Sequence, residues 1–164
     1  MASDAARCLV TGVNEADNKE VDYVLIAEPA LSKSLPQNEK AYRYADIQSL
    51  YKEKSNNAPI MQASIFVKNT ADTNLVNTFL SEVNTSINQV ISDSSILDSY
   101  TQGMDIVTLS SKLGGDLLTI KNCISNGNSI GIGYKNAFAN KNAIDNFIKM
   151  WPAIGEASEE IYYK

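Results

Sequence analysis

The sequence predicts an α/β fold, and three stretches carry that prediction. Val21-Asp22-Tyr23-Val24-Leu25-Ile26-Ala27 is a brief apolar run that stops at Glu28-Pro29. A run this short suits a strand covered on both faces, because a helix normally needs at least about ten residues. Ile60-Met61-Gln62-Ala63-Ser64-Ile65-Phe66-Val67 is an uncharged stretch of strand length. Beyond it, Val76, Phe79, Leu80, Val83, Ile87, Val90 and Ile91 recur at helical spacing.

In chain order, Ser3 or Asp4 can cap a first helix running through Val10, with Gly12 as its terminator and a polar surface loop from Asn14 to Glu20. The first strand follows, and Pro29 suits the opening turn of the next helix, where a missing N–H is no loss. That helix reaches Leu35. A weak strand is expected near Tyr42 to Ala45, then a helix from Asp46 with Ile47, Leu50 and Tyr51 on one face. Ser55-Asn56-Asn57-Ala58-Pro59 is a breaker cluster, which sets a boundary between segments 1–59 and 60–164.

The second segment begins with the uncharged strand and continues into the long helix, for which Asp72 offers the cap. Two more helical stretches, near Ile96 to Lys112 and Asp116 to Cys123, are separated by Gly114-Gly115. A short strand is expected near Ile130 to Tyr134. The closing helix, Asn140 to Trp151, aligns Ile144, Phe147, Ile148 and Trp151, and Pro152 ends it.

Composition excludes several functions. The net charge of -5, with Arg7 and Arg43 as the two arginines, leaves no basic stripe for a nucleic-acid backbone. No segment reaches the roughly 18 uninterrupted apolar residues of a membrane span, and the amino terminus lacks the regions of a secretory signal. Cys8 follows Met1 too closely for an apolar export segment to precede it. Cys8 and Cys123 are two thiols far apart, neither a metal cluster nor a disulfide framework, and read as buried free thiols or a single bridge.

The chain has no histidine, which removes Ser-His-Asp triads and zinc-protease helices together. Gly127-Asn128-Ser129-Ile130-Gly131 matches a nucleophile elbow in letters but lacks the preceding strand and the imidazole, so a tight turn is expected. Ser49-Leu50-Tyr51-Lys52 repeats the S-x-x-K spacing of penicillin-recognising enzymes without their downstream motifs. Gly131-Ile132-Gly133 and Gly114-Gly115 lack the rest of a phosphate-cradling loop, and the Asn84-Thr85-Ser86 sequon falls inside the long helix.

No catalytic residue, metal ligand or cofactor site is expected. Glu28 is the exception to this bland reading, because a strand leads into it and a helix follows. It either caps the amides of Ala30 to Ser32 or faces a ligand at the carboxyl end of the strand. Gln62 and Ser64 raise the same question, since a strand leaving a lobe boundary often lines a cleft.

The segment from Val21 to Ala30 resembles the mid-chain strand and turn of ABC-importer substrate-binding proteins with the type II periplasmic-binding-protein fold. Their relatives bind nitrate, taurine, alkanesulfonates and pyrimidine precursors. Ile60 to Asn69 is similar to that family's returning crossover strand, Asn74 to Leu80 to the helix after it, and the Ile154-Gly155 to Lys164 tail to its carboxyl end.

The resemblance implies a partial type II periplasmic-binding-protein fold. Residues 1–59 would be the second half of the ligand-binding lobe 2, and 60–164 the crossover strand and carboxyl-terminal helical part of lobe 1. Since such proteins run to roughly 300 residues, the chain is expected to be a carboxyl-terminal fragment with apolar surface exposed for self-association. The implied ligand-binding residues are Glu28, Pro29, Ala30, Met61, Gln62, Ala63 and Ser64, and the implied partners are a small-molecule ligand and an ABC permease. The implied location is the periplasm or the extracellular face of the membrane, as a periplasmic protein or lipoprotein. Two alternatives remain open: an enzyme on the same fold, similar to the pyrimidine-precursor synthases of thiamine biosynthesis, and an unrelated α/β interaction domain.

Overall fold

The computed structural model of the chain describes residues 2–58, 60, 63–151, 153, 155 and 157–162. It divides into two units: Met1–Tyr42 with Asn84–Gly133, and Arg43–Val83 with Tyr134–Lys164. The sequence boundary at residue 59 instead separates two consecutive segments, whereas each unit draws on two separate stretches of chain.

The first unit opens with α1 (Ala2–Thr11), which stops at Gly12 with φ +73° and the Gly12 N–H donated to the Cys8 carbonyl at 2.8 Å. A positive φ there ends the helix cleanly without a Cβ penalty. The polar stretch expected as loop folds into a small hairpin, β1 (Val13–Asn14) antiparallel to β2 (Lys19–Glu20), with Val13 opposite Glu20. Asn18, at φ 54°, turns the chain between them. Two residues per strand is too short for periodicity to register.

After the hairpin, residues 23–27 run without helix, turn or ladder, up to α2 (Ala30–Ser34) and a 3-10 turn at Leu35–Gln37. The Asn38 amide donates to the Leu9 carbonyl at 2.8 Å and ties this stretch to α1. The strand expected at residues 21–27 therefore makes no ladder with the described residues; Tyr23 is 76% exposed and Leu25 80%. The strand expected at residues 130–134 likewise pairs with nothing among the described residues. Its Ile130 and Ile132 pack instead on an apolar cluster.

That cluster is the core of the first unit. Val90, on α4 (Thr73–Ser92), meets Ile120 and Ile124 on α7 (Leu117–Ser125), with Ile96, Leu97, Leu113, Ile130 and Ile132 packed around them. The helical stretch expected from Ile96 to Lys112 is broken into α5 (Ile96–Thr101) and α6 (Ile106–Leu113). Gly103 at φ 81° makes the break, and the Asp105 carboxylate restarts the helix by accepting the Thr108 N–H at 2.8 Å. Gly114, at φ 71°, closes α6 in the left-handed conformation that glycine best tolerates.

The second unit contains α3 (Ile47–Lys54), the first part of α4, and α8 (Lys141–Lys149). Asp46 caps α3 through the Ser49 N–H at 2.8 Å, and Asp72 caps α4 through the Leu75 N–H at 2.9 Å. Tyr51 meets Phe147 edge to face, ring centroids 5.7 Å apart at 88°. Such a contact adds about 0.5–1.5 kcal/mol beyond the area it buries. Gln48 uses both ends of its amide on Ile60, accepting its N–H at 3.2 Å and donating to its carbonyl at 3.4 Å. Residues 42–46 and 63–68 form no ladder, so the strands expected there are also unpaired among the described residues.

The core assignment has a measurable consequence. Ile120→Ala, at 3% exposure, should lower stability by about 2–5 kcal/mol in urea unfolding, since it removes a buried side chain and leaves a cavity. Leu118→Ala, one helical position away from that face and 68% exposed, should change it by no more than about 0.5 kcal/mol. Equal losses from the two would place the core elsewhere.

Candidate functional site

The residue singled out by the sequence, Glu28, sits where irregular chain enters α2. Its Oε2 accepts the Ser32 N–H at 3.0 Å, so the capping contact is made to the last of the three amides Ala30 to Ser32. The same oxygen lies 3.8 Å from the Cys123 thiol, which donates to it and also stands 3.5 Å from the Ser32 hydroxyl. Cys123 is buried on α7, and Glu28 is half-buried. The Ser32 amide and the Cys123 thiol both point at this carboxylate, which is still partly open to water.

The framework around it is tight. Pro29 occupies the cap position of α2, just before its first helical residue, Ala30. Its ring lies against Gly115: a Cβ on that glycine would fall 2.8 Å from Pro29 Cγ, closer than two carbons can sit. Next to it, Asp116 caps α7 by accepting the Thr119 N–H at 2.9 Å, and its second oxygen accepts the Thr119 hydroxyl at 2.9 Å. These bonds, with the field of Lys33, hold the Asp116 carboxyl below its ordinary range.

The remaining sequence candidates fall in the second unit. Ala63 and Ser64 are exposed on irregular chain, and Met61 and Gln62 lie outside the described residues. The structure thus brings Glu28, Pro29 and Ala30 together by chain continuity. Ser129, read as a turn residue, has its hydroxyl 3.2 Å from the Cys123 carbonyl, to which it donates. Ser49 and Lys52 lie on α3 as expected of helix-surface positions.

A second polar cluster was missed by sequence reasoning. On α8 the Lys141 ammonium contacts Asp145 Oδ2 at 2.6 Å and Glu159 Oε1 at 2.9 Å, and stands 5.3 Å above the Tyr162 ring. The Tyr162 hydroxyl donates to Asp145 Oδ1 at 2.5 Å. Lys141 and Asp145 are four apart on a helix, a spacing that was visible in the sequence, but the tail residues that complete the group come from far along the chain.

The charges reinforce one another. Hydrogen bonding to Asp145 and Glu159 raises the Lys141 pKa, while Lys141 and Tyr162 lower that of Asp145. Burial first, and the neighbouring Asp145 second, push the Tyr162 phenol up to about 12. The arrangement clamps the 3-10 turn at Glu159–Ile161 to α8 and does not present an activated nucleophile: its lysine and tyrosine are held in their resting protonation states at neutral pH.

Among the described residues no three acidic or thiol side chains gather to hold a metal ion, and no helix is long and apolar enough to cross a membrane. No family model matches the chain, and no curated protein or solved structure matches it either.

Two outcomes test this geometry. Gly115→Ala should cost about 1–3 kcal/mol of stability, through the enforced contact with Pro29. In a spectrophotometric titration of phenolate, Tyr162 should ionise last, near pH 12, and stability should fall as pH rises from about 10 to about 12, because the folded state holds that proton more tightly than the unfolded chain. Asp145→Asn should lower the Tyr162 midpoint while leaving it above 10, since burial remains. A single tyrosine transition near 10 would remove Tyr162 from the clamp.

Proposed function

We propose that this chain serves small-solute capture by an ABC importer, with the partial type II periplasmic-binding-protein fold that its resemblance implies, and that it performs no chemistry. The observation that carries the reading is Glu28: a half-buried carboxylate at the entry to a helix, directed by the Ser32 amide and the Cys123 thiol. Four sequence segments in the order of that family, from Val21 to the tail, add to it. Glu28 would orient a polar or cationic group of the solute, and Pro29 and Ala30 would shape the turn. An ABC permease would be the recipient, on the outer face of the membrane or in the periplasm.

A carboxylate in the site disfavours anionic solutes, which it repels unless protonated or paired. Cationic and aromatic solutes are therefore the class proposed. The lack of any histidine in the sequence supports binding over catalysis, because the histidine-dependent synthases of the same fold have nothing to draw on in this chain.

A second reading, an interaction domain, is favoured by a specific observation: Tyr23, Leu25, Phe66, Ile106 and Val107 are each at least three-quarters exposed.

Thermal-shift screening of the protein against small cationic and aromatic metabolites separates the two. A binder raises apparent stability by RT ln(1 + [L]/Kd), and Glu28→Gln should weaken it about tenfold or more, as expected for losing a charge-assisted hydrogen bond. A solute whose affinity is unchanged by that substitution would return Glu28 to capping alone. If no solute shifts the protein, the interaction reading takes precedence.

A further inference from the structure

The second unit exposes Ala63-Ser64-Ile65-Phe66-Val67, a stretch with no helix, turn or ladder, in which Ile65 is 53% and Phe66 81% exposed. The backbone of these five residues makes no hydrogen bond to another described residue. Ile, Phe and Val are strong strand formers, and Ile60 to Val67 contains no charge, proline or glycine. Unpaired strand-forming backbone of this kind is a template for another chain.

We propose that residues 63–67 pair with the same residues of a second copy of this chain, as an antiparallel two-stranded ladder centred on Ile65. Antiparallel pairing about that residue sets Ile65 against Ile65, Ser64 against Phe66 and Ala63 against Val67. Ala63, Ile65 and Val67 of both copies then share one face, an apolar strip of six side chains. A second copy suits the segment because it is self-complementary and uncharged, so pairing incurs no like-charge contact despite a chain charge of -5. The flanking Lys68 residues fall at opposite ends of an antiparallel pair, whereas a parallel pair would set them side by side.

The available area supports the same occupant. A standard interface takes roughly 800 Å² from each partner, more than a five-residue ladder covers, so apolar surface beside the ladder has to join it. The second unit itself supplies Ile47, Leu50, Leu75 and Phe79, between 45% and 70% exposed, as apolar surface beyond the ladder.

The ladder would take up Ala63 and Ser64, two of the ligand-binding residues that the resemblance implies, and it is tested without a ligand. Light scattering and sedimentation over a concentration series should show a dimer that dissociates on dilution. Ile65→Lys, with unchanged circular dichroism, should weaken it about tenfold or more, because it places two ammonium groups opposite one another at the centre. In a Cys8→Ser background, Ile65→Cys should form an intermolecular disulfide under mild oxidation, since directly opposed residues lie about 4.5–5.5 Å apart at Cα. Ala63→Cys should not, because the two copies of that residue stand ~14 Å apart along the pair. A monomer at every concentration, a dimer indifferent to Ile65→Lys, or equal crosslinking at the two positions would overturn the proposal.

Discussion

The first unit depends on the meeting of α4 with α7, where Val90 closes over Ile120 and Ile124. Remove that contact and, among the described residues of the unit, the others that are deeply buried are Cys123, on the same helix face, and Ser34 on α2. Burial of a few branched side chains is worth roughly 1.5–3 kcal/mol each, far more than any cap or surface ion pair nearby. The Glu28 environment follows from it. Cys123 reaches the carboxylate because its own turn of α7 is anchored by Ile120 and Ile124 on either side.

The second unit is held differently. Its firm points are an edge-to-face ring pair and the polar clamp of Lys141, Asp145, Glu159 and Tyr162. Lys141 and Asp145 are about three-quarters or more shielded, while Glu159 is largely exposed, so the Asp145 arm carries most of the electrostatic weight and the Glu159 arm is screened by solvent. One unit thus rests on apolar contact and the other on directed polar contact. The exposed strand-forming segment belongs to the second.

Helices were legible because their signals are local. Asp46, Asp72 and Asp116 each precede an apolar periodicity and each accepts an amide three residues on. Asp105 does the same, yet the apolar pattern runs across it, and the Gly103 break was hidden by residues that would also suit one longer helix. Strands were less legible because composition says that a segment can pair and is silent on the partner. Tyr23 to Ala27 and Ser64 to Val67 have the right residues but no ladder to join among the described residues. For Glu28 the sequence left capping and ligand contact open; the Ser32 bond gives the first, and the thiol neighbour on α7 was beyond any local pattern.

Asn128 closes the turn after α7 by using both ends of its side-chain amide: Nδ2 donates to the Ile132 carbonyl at 2.6 Å, and Oδ1 accepts the Ile132 N–H at 3.1 Å. The residue stands at φ 53°, a conformation asparagine tolerates better than most. An amide serving as donor and acceptor at once has no substitute in a carboxylate, which can only accept when ionised. Slow deamidation at this position would therefore turn an attraction toward the Ile132 carbonyl into a repulsion. The loop that brings Ile130 and Ile132 onto the core thus depends on a single side-chain nitrogen that an amide supplies and a carboxylate lacks.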